Sequence, residues 1–559
     1  MPYRYAFGSI MLGVLGVFYG QRLAGEVKYL YKSTGILVWE YVPLDGGIVV
    51  VTMQEKKGLL VQKYDKNLKL QWEKKLYDKH DRENPASVMV VDSMVYFFTA
   101  VKKGGKRQVY LYQVGLDQRV YKSGELLFEV IGKGVISLKI RYSPNRQWGA
   151  MFVVYPRLIR ADAFGSRSPD TIAIPYFAVG PKGFCKKAYW GIPNTGGEVT
   201  LYEHPMIDNE GAFYLFVTFL NPKNSQTDHF LMRYVLSAEL TLKLELELKE
   251  KSDRTSYLVF PRMHVSDTTV TLAILMRKHE TSIRGPIDVA KTAKIWLIKV
   301  RLPGFFIIDN SAYGIPNQTP ALDEVSGDKE KPEIPITQLR IDKVIPISGG
   351  KTYVLTQALI LPYAQGICED YDYDLIAGYQ NFYVYSGPIY IFSINEMTKS
   401  IDVDKIYKRG SISVYETMIK SIDLDKLYKP GSIPEYETRR EPSMISHVFM
   451  MAPYYPSGGA AGTADWLFYS LFQKDQKLYF LYVLEGKRAR DPDKLYLRTY
   501  DMTTGRLGEP KELTTDYDEK YLFMRYWTKQ LDDQSFLLFL IEYTKSKPEY
   551  FTLRKYILD

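Results

Sequence analysis

Tyr31-Lys-Ser-Thr-Gly-Ile-Leu-Val-Trp39-Glu40 is echoed 33 residues later by Tyr64-Asp-Lys-Asn-Leu-Lys-Leu-Gln-Trp72-Glu73. In both phrases a polar turn leads into a short run that carries a Trp and then a Glu. Two apolar runs, Ile48 to Met53 and Leu59 to Tyr64, fill the space between the strand-like parts. The stretch reads as four short antiparallel strands in about forty residues, the size of one unit of a repeated sheet.

Working outward, the same grouping recurs to the end of the chain. The second group is Ser87 to Val91, Val95 to Val101, Gln108 to Val114 and Leu126 to Val130. The third is looser, from Val135 through Trp148 to Tyr155, then Thr171 to Val179 and Lys187 to Trp190. The fourth is Val199 to His204, Ala212 to Leu220, His229 to Leu236 and Leu240 to Leu248, the last with leucines at 240, 242, 244, 246 and 248. A helix cannot place that spacing on one face, whereas a strand with one wet face does so naturally. The fifth is Tyr257 to Val265, Thr269 to Met276 and Lys294 to Arg301; the sixth is Leu339 to Ile347, Thr352 to Leu361 and Ile389 to Ile394. Ile445 to Tyr454 with Trp466 to Phe472, Leu478 to Leu484 and Leu495 to Tyr500 make the seventh. Tyr521 to Trp527, Phe536 to Tyr543 and Tyr550 to Ile557 make the eighth, which lacks a fourth strand.

Val27 to Tyr31, near the other end of the chain, has no group of its own. The expected fold is therefore all-β: a single β-propeller of eight four-stranded antiparallel blades. Seven blades are the alternative, because the third and sixth groups are irregular. An N-terminal strand pairing with the C-terminal blade would close the ring and remove the sheet edges that otherwise invite aggregation. Loop insertions are expected near 156–170, 307–335 and 362–388. Residues 399–417 are repeated at 420–438 with a 21-residue offset, read as a tandem copy of one strand-plus-turn piece held at an edge or in a loop.

Composition agrees with this reading. The chain of 559 residues is 46% apolar and 25% charged, which excludes large-scale disorder, and its 46 Tyr, 26 Phe and 7 Trp favour pleated, half-buried surfaces. The net charge of +9 arises from 73 basic and 64 acidic residues that are interspersed, so the surface reads as mixed and nucleic acid is not an expected partner. Lys102 to Arg107 and Lys487 to Arg490 are the most basic segments, both drawn as hairpin loops. Residues 1–25 have the layout of a secretory signal: Arg4, an apolar run from Ala6 to Tyr19, and small residues up to a cut after Gly25. An uncleaved anchor is the alternative; beyond residue 25 no uncharged run reaches membrane-spanning length. Export to the periplasm or the outer-membrane surface is the expectation. Cys185 and Cys368 read as free, with pairing left open.

Asp501-Met-Thr-Thr-Gly505, Thr34-Gly35 to Trp39 and Asp65 to Trp72 resemble the PQQ-like repeat branch of the β-propellers, where Asp-x-x-Thr-Gly leads into a strand bearing Trp. The first phrase lacks the Trp, the second has Tyr31 for Asp, and the third is one residue short. The phrase from Tyr64 to Glu73 is also similar to uncharacterised exported proteins of Bacteroidota-like bacteria. The resemblance implies a propeller fold and an envelope location, and no cofactor is expected.

No reaction is written in motifs. The histidines at 80, 204, 229, 264, 279 and 447 show no metal-ligand spacing, and no nucleophile elbow, Walker-type loop or C-x-x-C occurs. The candidate site is the acidic, Tyr-rich stretch that follows Cys368. Asp370, Asp372 and Asp374 alternate as oxygen ligands for Ca²⁺ would, although Leu375 and Asn381 depart from the EF-hand pattern. Tyr371, Tyr373, Tyr379 and Tyr383 offer aromatic faces beside those carboxylates, which suits a sugar ring or a protein partner. The expected function is an exported, non-catalytic binding or scaffold propeller at the cell envelope, with a protein or glycan ligand and catalytic residues unknown. The alternatives are a glycan-active hydrolase or lyase or a quinone-type oxidoreductase with a channel active site, and a structural surface protein.

Overall fold

The structure, a computed structural model, describes residues 23–30, 37–54, 58–76, 84–103, 106–131, 137–154, 171–193, 198–201, 205–220, 227–235, 238–244, 256–279, 294–315, 338–360, 385–406, 469–484, 494–513, 521–523, 528–532, 534–544 and 547–558. β1 spans Leu23–Leu30. Blade 1 is β2 (Leu37–Val42), β3 (Gly47–Gln54), β4 (Gly58–Tyr64) and β5 (Leu70–Leu76); blade 2 is β6 (Asn84–Val91), β7 (Met94–Lys103), β8 (Lys106–Gly115) and β9 (Val120–Ile131). Blade 3 is β10 (Ser137–Tyr142), β11 (Gly149–Val154), β12 (Thr171–Gly180) and β13 (Phe184–Pro193); blade 4 is β14 (Glu198–Leu201) with β15 (Met206–Ile207), then β16 (Phe213–Leu220), β17 (Thr227–Val235) and β18 (Ala238–Leu244). Blade 5 is β19 (Ser256–Val265), β20 (Thr269–His279), β21 (Lys294–Arg301) and β22 (Phe306–Gly314); blade 6 is β23 (Gln338–Ile347), β24 (Lys351–Ile360), β25 (Tyr385–Asn395) and β26 (Ser400–Lys405). Blade 7 is β27 (Tyr469–Lys474), β28 (Lys477–Leu484), β29 (Lys494–Asp501), β30 (Arg506–Leu507) and β31 (Lys511–Glu512). Blade 8 is β32 (Tyr521–Phe523) with β33 (Lys529–Asp532), β34 (Ser535–Thr544), β35 (Lys547–Ile557) and, returning from the start of the chain, β1.

The protein is thus an all-β propeller of eight blades. Neighbouring blades pack face to face through eight apolar cores, one at each interface. The ring is closed because one core joins Leu37, Trp39 and Val50 of blade 1 to Leu537, Phe539 and Leu553 of blade 8. β1 pairs antiparallel with β35 from Leu23↔Tyr556 to Leu30↔Tyr550, as the chain ends led us to expect. Val27 and Tyr29 pack into the same closing core, and the Tyr29 hydroxyl donates to that of Tyr64 at 2.7 Å.

First strands of successive blades contact one another (β2 with β6, β10 with β15, β19 with β23), so they line the axis. Outer strands such as β5 and β22 are largely exposed. Along each blade, the turn from first to second strand and the turn from third to fourth leave by the same face. Asx turns shape both kinds. Asp65 Oδ1 accepts from the backbone of Asn67 and Lys69 at 2.8 and 2.9 Å, and Asp501 Oδ1 from Thr503 and Thr504 at 2.8 and 3.0 Å. Asp208 Oδ1 does the same for Glu210 and Ala212 at 3.0 and 2.8 Å. A short carboxylate or amide that satisfies the turn's own N–H groups needs no length of chain to do so.

The opening echo belongs to one four-stranded blade, as expected: Trp39 lies on its innermost strand and Trp72 on its outermost. Some expected boundaries are corrected. The insertion near 307–335 begins later, since Phe306–Gly314 is the fourth strand of blade 5, with an exposed apolar start from Phe306 to Ile308. Likewise β25 starts at Tyr385, inside the insertion placed at 362–388. The first copy of the tandem repeat supplies β26, at an edge as expected; its part from 407 on and the whole second copy lie outside the described residues. β1 runs through the position of the expected cut after Gly25, a proposal that the strand does not decide, and Gly25 sits where any side chain would come within 2.7 Å of the Asn67 carbonyl oxygen.

Candidate functional site

The two faces of the ring are built differently. On one, blades are joined internally by short turns, such as 42–47, 91–94 and 474–477. On the other, the strand ends flank the long connections 154–171, 279–294, 314–338, 360–385 and 406–469. Asp370, Tyr371, Asp372, Tyr373, Asp374, Tyr379 and Tyr383 all belong to 360–385 and lie outside the described residues. Its flanking strands, β24 and β25, place both ends of that connection on the long-connection face.

The turn face is tied together by charge. Glu40, only 4% exposed on β2, meets Arg146 Nη2 at 3.4 Å from blade 3 and Lys529 Nζ at 3.3 Å from blade 8. The backbone N–H of Tyr41 donates to Glu40 Oε1 at 3.0 Å. Tyr142 also hydrogen-bonds Glu40 and accepts from the Val90 N–H of blade 2 at 3.0 Å; burial and then the Glu40 charge hold its hydroxyl well above the usual phenol pKa. The Arg146 guanidinium lies 4.7 Å from the Tyr142 ring and 5.3 Å from that of Tyr41. One buried carboxylate with two cations and a phenol therefore joins blades 8, 1, 2 and 3. Next to it, Asn209 Oδ1 accepts from the Asn145 N–H at 2.8 Å and its amide donates to Asp267, linking the turns of blades 3, 4 and 5.

A second constellation lies where the innermost strands of blades 5 and 6 meet. β23 carries a bulge between Ile341 and Lys343, and the carbonyl of Asp342 there accepts from Arg262 Nε at 3.2 Å. A bulge frees a backbone group from the ladder. Here the neighbouring blade satisfies it. His264, two residues along β19 from Arg262, is held below the ordinary imidazole pKa by burial and then by the Lys343 charge. Lys343 is itself held below the ordinary ammonium pKa by burial, which outweighs the opposing charge of Asp342. No ion pair of Lys343 occurs among the described residues.

Among the described residues no group of three or more His, Cys, Asp or Glu is arranged to hold a metal. A small void between blades 3 and 4, lined by Trp148, Tyr176 and Phe213, has about 10 Å³ for a water-sized guest and suits no larger ligand. Cys185 is exposed and free on β13, its thiol pKa raised by burial, and Cys368 lies outside the described residues. Of the basic segments, Lys102 to Arg107 forms the β7–β8 hairpin, where Lys106 pairs with Glu129; Lys487 to Arg490 falls outside the described residues. No described helix is long and apolar enough to cross a membrane.

The sequence reading missed both clusters. Its one available signal was a charge inside an inward strand, Glu40 in Leu-Val-Trp-Glu-Tyr-Val and Lys343 in Ile-Asp-Lys-Val-Ile. Their partners come from other blades, which spacing along one strand cannot show.

No family model and no curated protein sequence matches the chain. Among solved structures it is similar to the WD40 domain of SCAP from fission yeast, at 7% identity over 96% of this chain and 97% of that one, with a TM-score of 0.37. It is also similar to a polysaccharide lyase of family PL25, an ulvan lyase, at 11% identity over 84% and 90% of the two chains, with a TM-score of 0.38. The GH93 α-L-arabinofuranosidase of Fusarium graminearum matches at 8% identity over 75% and 92%, with a TM-score of 0.28. Likenesses at this level carry no functional weight.

Proposed function

We propose that this chain is an exported, non-catalytic binding or scaffold propeller of the cell envelope, and that it takes a protein or glycan partner on its long-connection face. The supporting observation is the unequal division of chain: the turn face is tied across blades by Glu40, Arg146, Asn145 and Asn209, while the candidate aromatic and acidic residues belong to a connection that leaves from the other face. Ligand contacts fall disproportionately on loops held by a rigid scaffold. The resemblance to PQQ-like repeats and to exported proteins of Bacteroidota-like bacteria belongs to the same proposal. So do Ca²⁺ at Asp370, Asp372 and Asp374 and an aromatic platform at Tyr371, Tyr373, Tyr379 and Tyr383.

The test is a binding screen of the whole chain against acidic and neutral glycans and envelope proteins. It is repeated with 362–383 replaced by a short Gly/Ser linker and with Asn145→Ala on the turn face. Binding lost with the linker and kept with Asn145→Ala supports the reading; binding indifferent to the linker overturns it. One observation favours a second reading, an enzyme working in the channel: Lys343 and His264 combine lowered pKa values on adjoining innermost strands. Turnover of a screened substrate that is abolished by Lys343→Met would replace the first reading with this one.

A further inference from the structure

Blade 6 ends on a strand that the sequence contains twice. β26 pairs with β25 from Tyr390↔Lys405 to Asn395↔Ser400, entered through a left-handed Lys399 at φ 53°. Five residues attach it. Lys399 Nζ reaches Asp309 at 3.2 Å and Ser311 at 2.7 Å in blade 5. Ile401 and Val403 pack on the core between blades 5 and 6. Asp404 Oδ2 accepts from the Tyr500 hydroxyl at 2.7 Å in blade 7. Ile406 is 1% exposed, its N–H donates to the Ile389 carbonyl at 3.0 Å, and its own carbonyl accepts from Arg498.

Residues 420–427 carry each of these groups again and in the same order. Lys420, Ile422 and Asp425 are identical to Lys399, Ile401 and Asp404, while Leu424 and Leu427 stand for Val403 and Ile406. Those two replacements are the only differences over the eight positions, and both keep an aliphatic side chain where the first copy is buried or half-buried.

We propose that blade 6 has two interchangeable outer strands: the free edge of β25 accepts residues 420–427 in place of 399–406, in equivalent register and with equivalent contacts. Because the copies are offset by 21 residues, the exchange moves that length of chain from the connection after β26, on the long-connection face, to the turn before it, on the opposite face. Side-chain contacts and ladder bonds are conserved, so the two seatings differ mainly in loop closure. Lengthening a loop penalises closure only slowly. The short turn therefore favours the first copy, as found here, and leaves the second as a minor seating. The inference does not depend on the proposed partner.

The experiment traps each seating by a disulfide in the full chain, with Cys185 and Cys368 replaced by Ser. Ser393 faces Asp402 directly across the β25–β26 ladder, at a separation that suits a disulfide. One variant carries Ser393→Cys with Asp402→Cys, the other Ser393→Cys with Asp423→Cys, and bonds are mapped by non-reducing peptide mass spectrometry. Both are expected to form the intramolecular bond, the second more slowly. If the Asp423 variant stays reduced while the Asp402 variant oxidises, or if it yields only covalent dimers, the exchange is overturned. A thermal-unfolding series gives an independent check: Val403→Asp alone should lower the midpoint much less than Val403→Asp with Leu424→Asp. Equal losses would contradict the proposal.

Discussion

The two faces of this ring use their chain in opposite ways. On one, an Asp or Asn closes many of the turns on their own backbone, as Asp208 and Asp501 do, and side chains reach from turn to turn or from strand to strand across blades. On the other, strands are joined by connections of very different length, from 54–58 within blade 1 to 406–469 between blades 6 and 7. The lesson is that a propeller can tie neighbouring blades by polar bonds among the short turns of one face while the connections of the other face differ widely in length. The same strands serve both ends.

The sharpest way to break this comparison is at Glu40. Glu40→Ala leaves Arg146 and Lys529 facing one another with no buried anion, and removal of one partner of a buried ion pair costs about 3–5 kcal/mol. A denaturant titration should show a loss towards the lower end of that range, because Lys529 is partly exposed, with Glu40→Gln less affected. Next comes ring closure. Tyr29→Ala, which strips an aromatic side chain from the closing core, should cost about 2–3 kcal/mol, and Tyr29→Phe, which removes only the hydroxyl bond to Tyr64, about 1 kcal/mol.

A pH titration sharpens the contrast between the lumen and the surface. His264 has its folded pKa lowered, so the unfolded chain binds more protons below the ordinary value of 6.5. Stability should therefore be intact above that pH and decline as pH falls from it towards the folded pKa. Lys343 is also lowered, so its share is lost between 10.5 and its folded pKa and is constant below. In His264→Gln the decline that begins near 6.5 should be shallower; an unchanged profile would remove His264 as its source. The smallest effects should come from the faces themselves. Asn209→Ala, which unlinks the turns of blades 3 and 5, should cost about 1 kcal/mol. Replacing 362–383 by a short linker should leave the unfolding midpoint almost unmoved while abolishing binding.

Fold class, blade number and ring closure were legible in the sequence because each depends on local period and on turn residues. Leu240, Leu242 and Leu244 announce a strand unaided. Outer strands were the weak point. Most of β22 was counted into the loop because the passage from Asp309 to Pro335 is polar and Pro-rich, and an exposed edge strand imposes no alternation on either face. β33, only four residues at Lys529–Asp532, was missed because a short innermost strand buries little besides Leu531. Of the site, the sequence could single out residues that cluster along the chain, such as Asp370 to Asp374. It could not assemble Glu40, Arg146 and Lys529, which come from three blades and meet only once the ring is closed.

The two-faced ring itself can be tested by epitope tags and antibody fragments viewed by negative-stain electron microscopy. Tags are placed singly and in pairs within 155–170, 361–384 and 407–468, and one tag replaces the Lys474–Lys477 turn. Fragments bound to any two connection tags should project from the same side of the disc, and a fragment on the turn tag from the other. Fragments on two connection tags projecting from opposite sides would contradict the account.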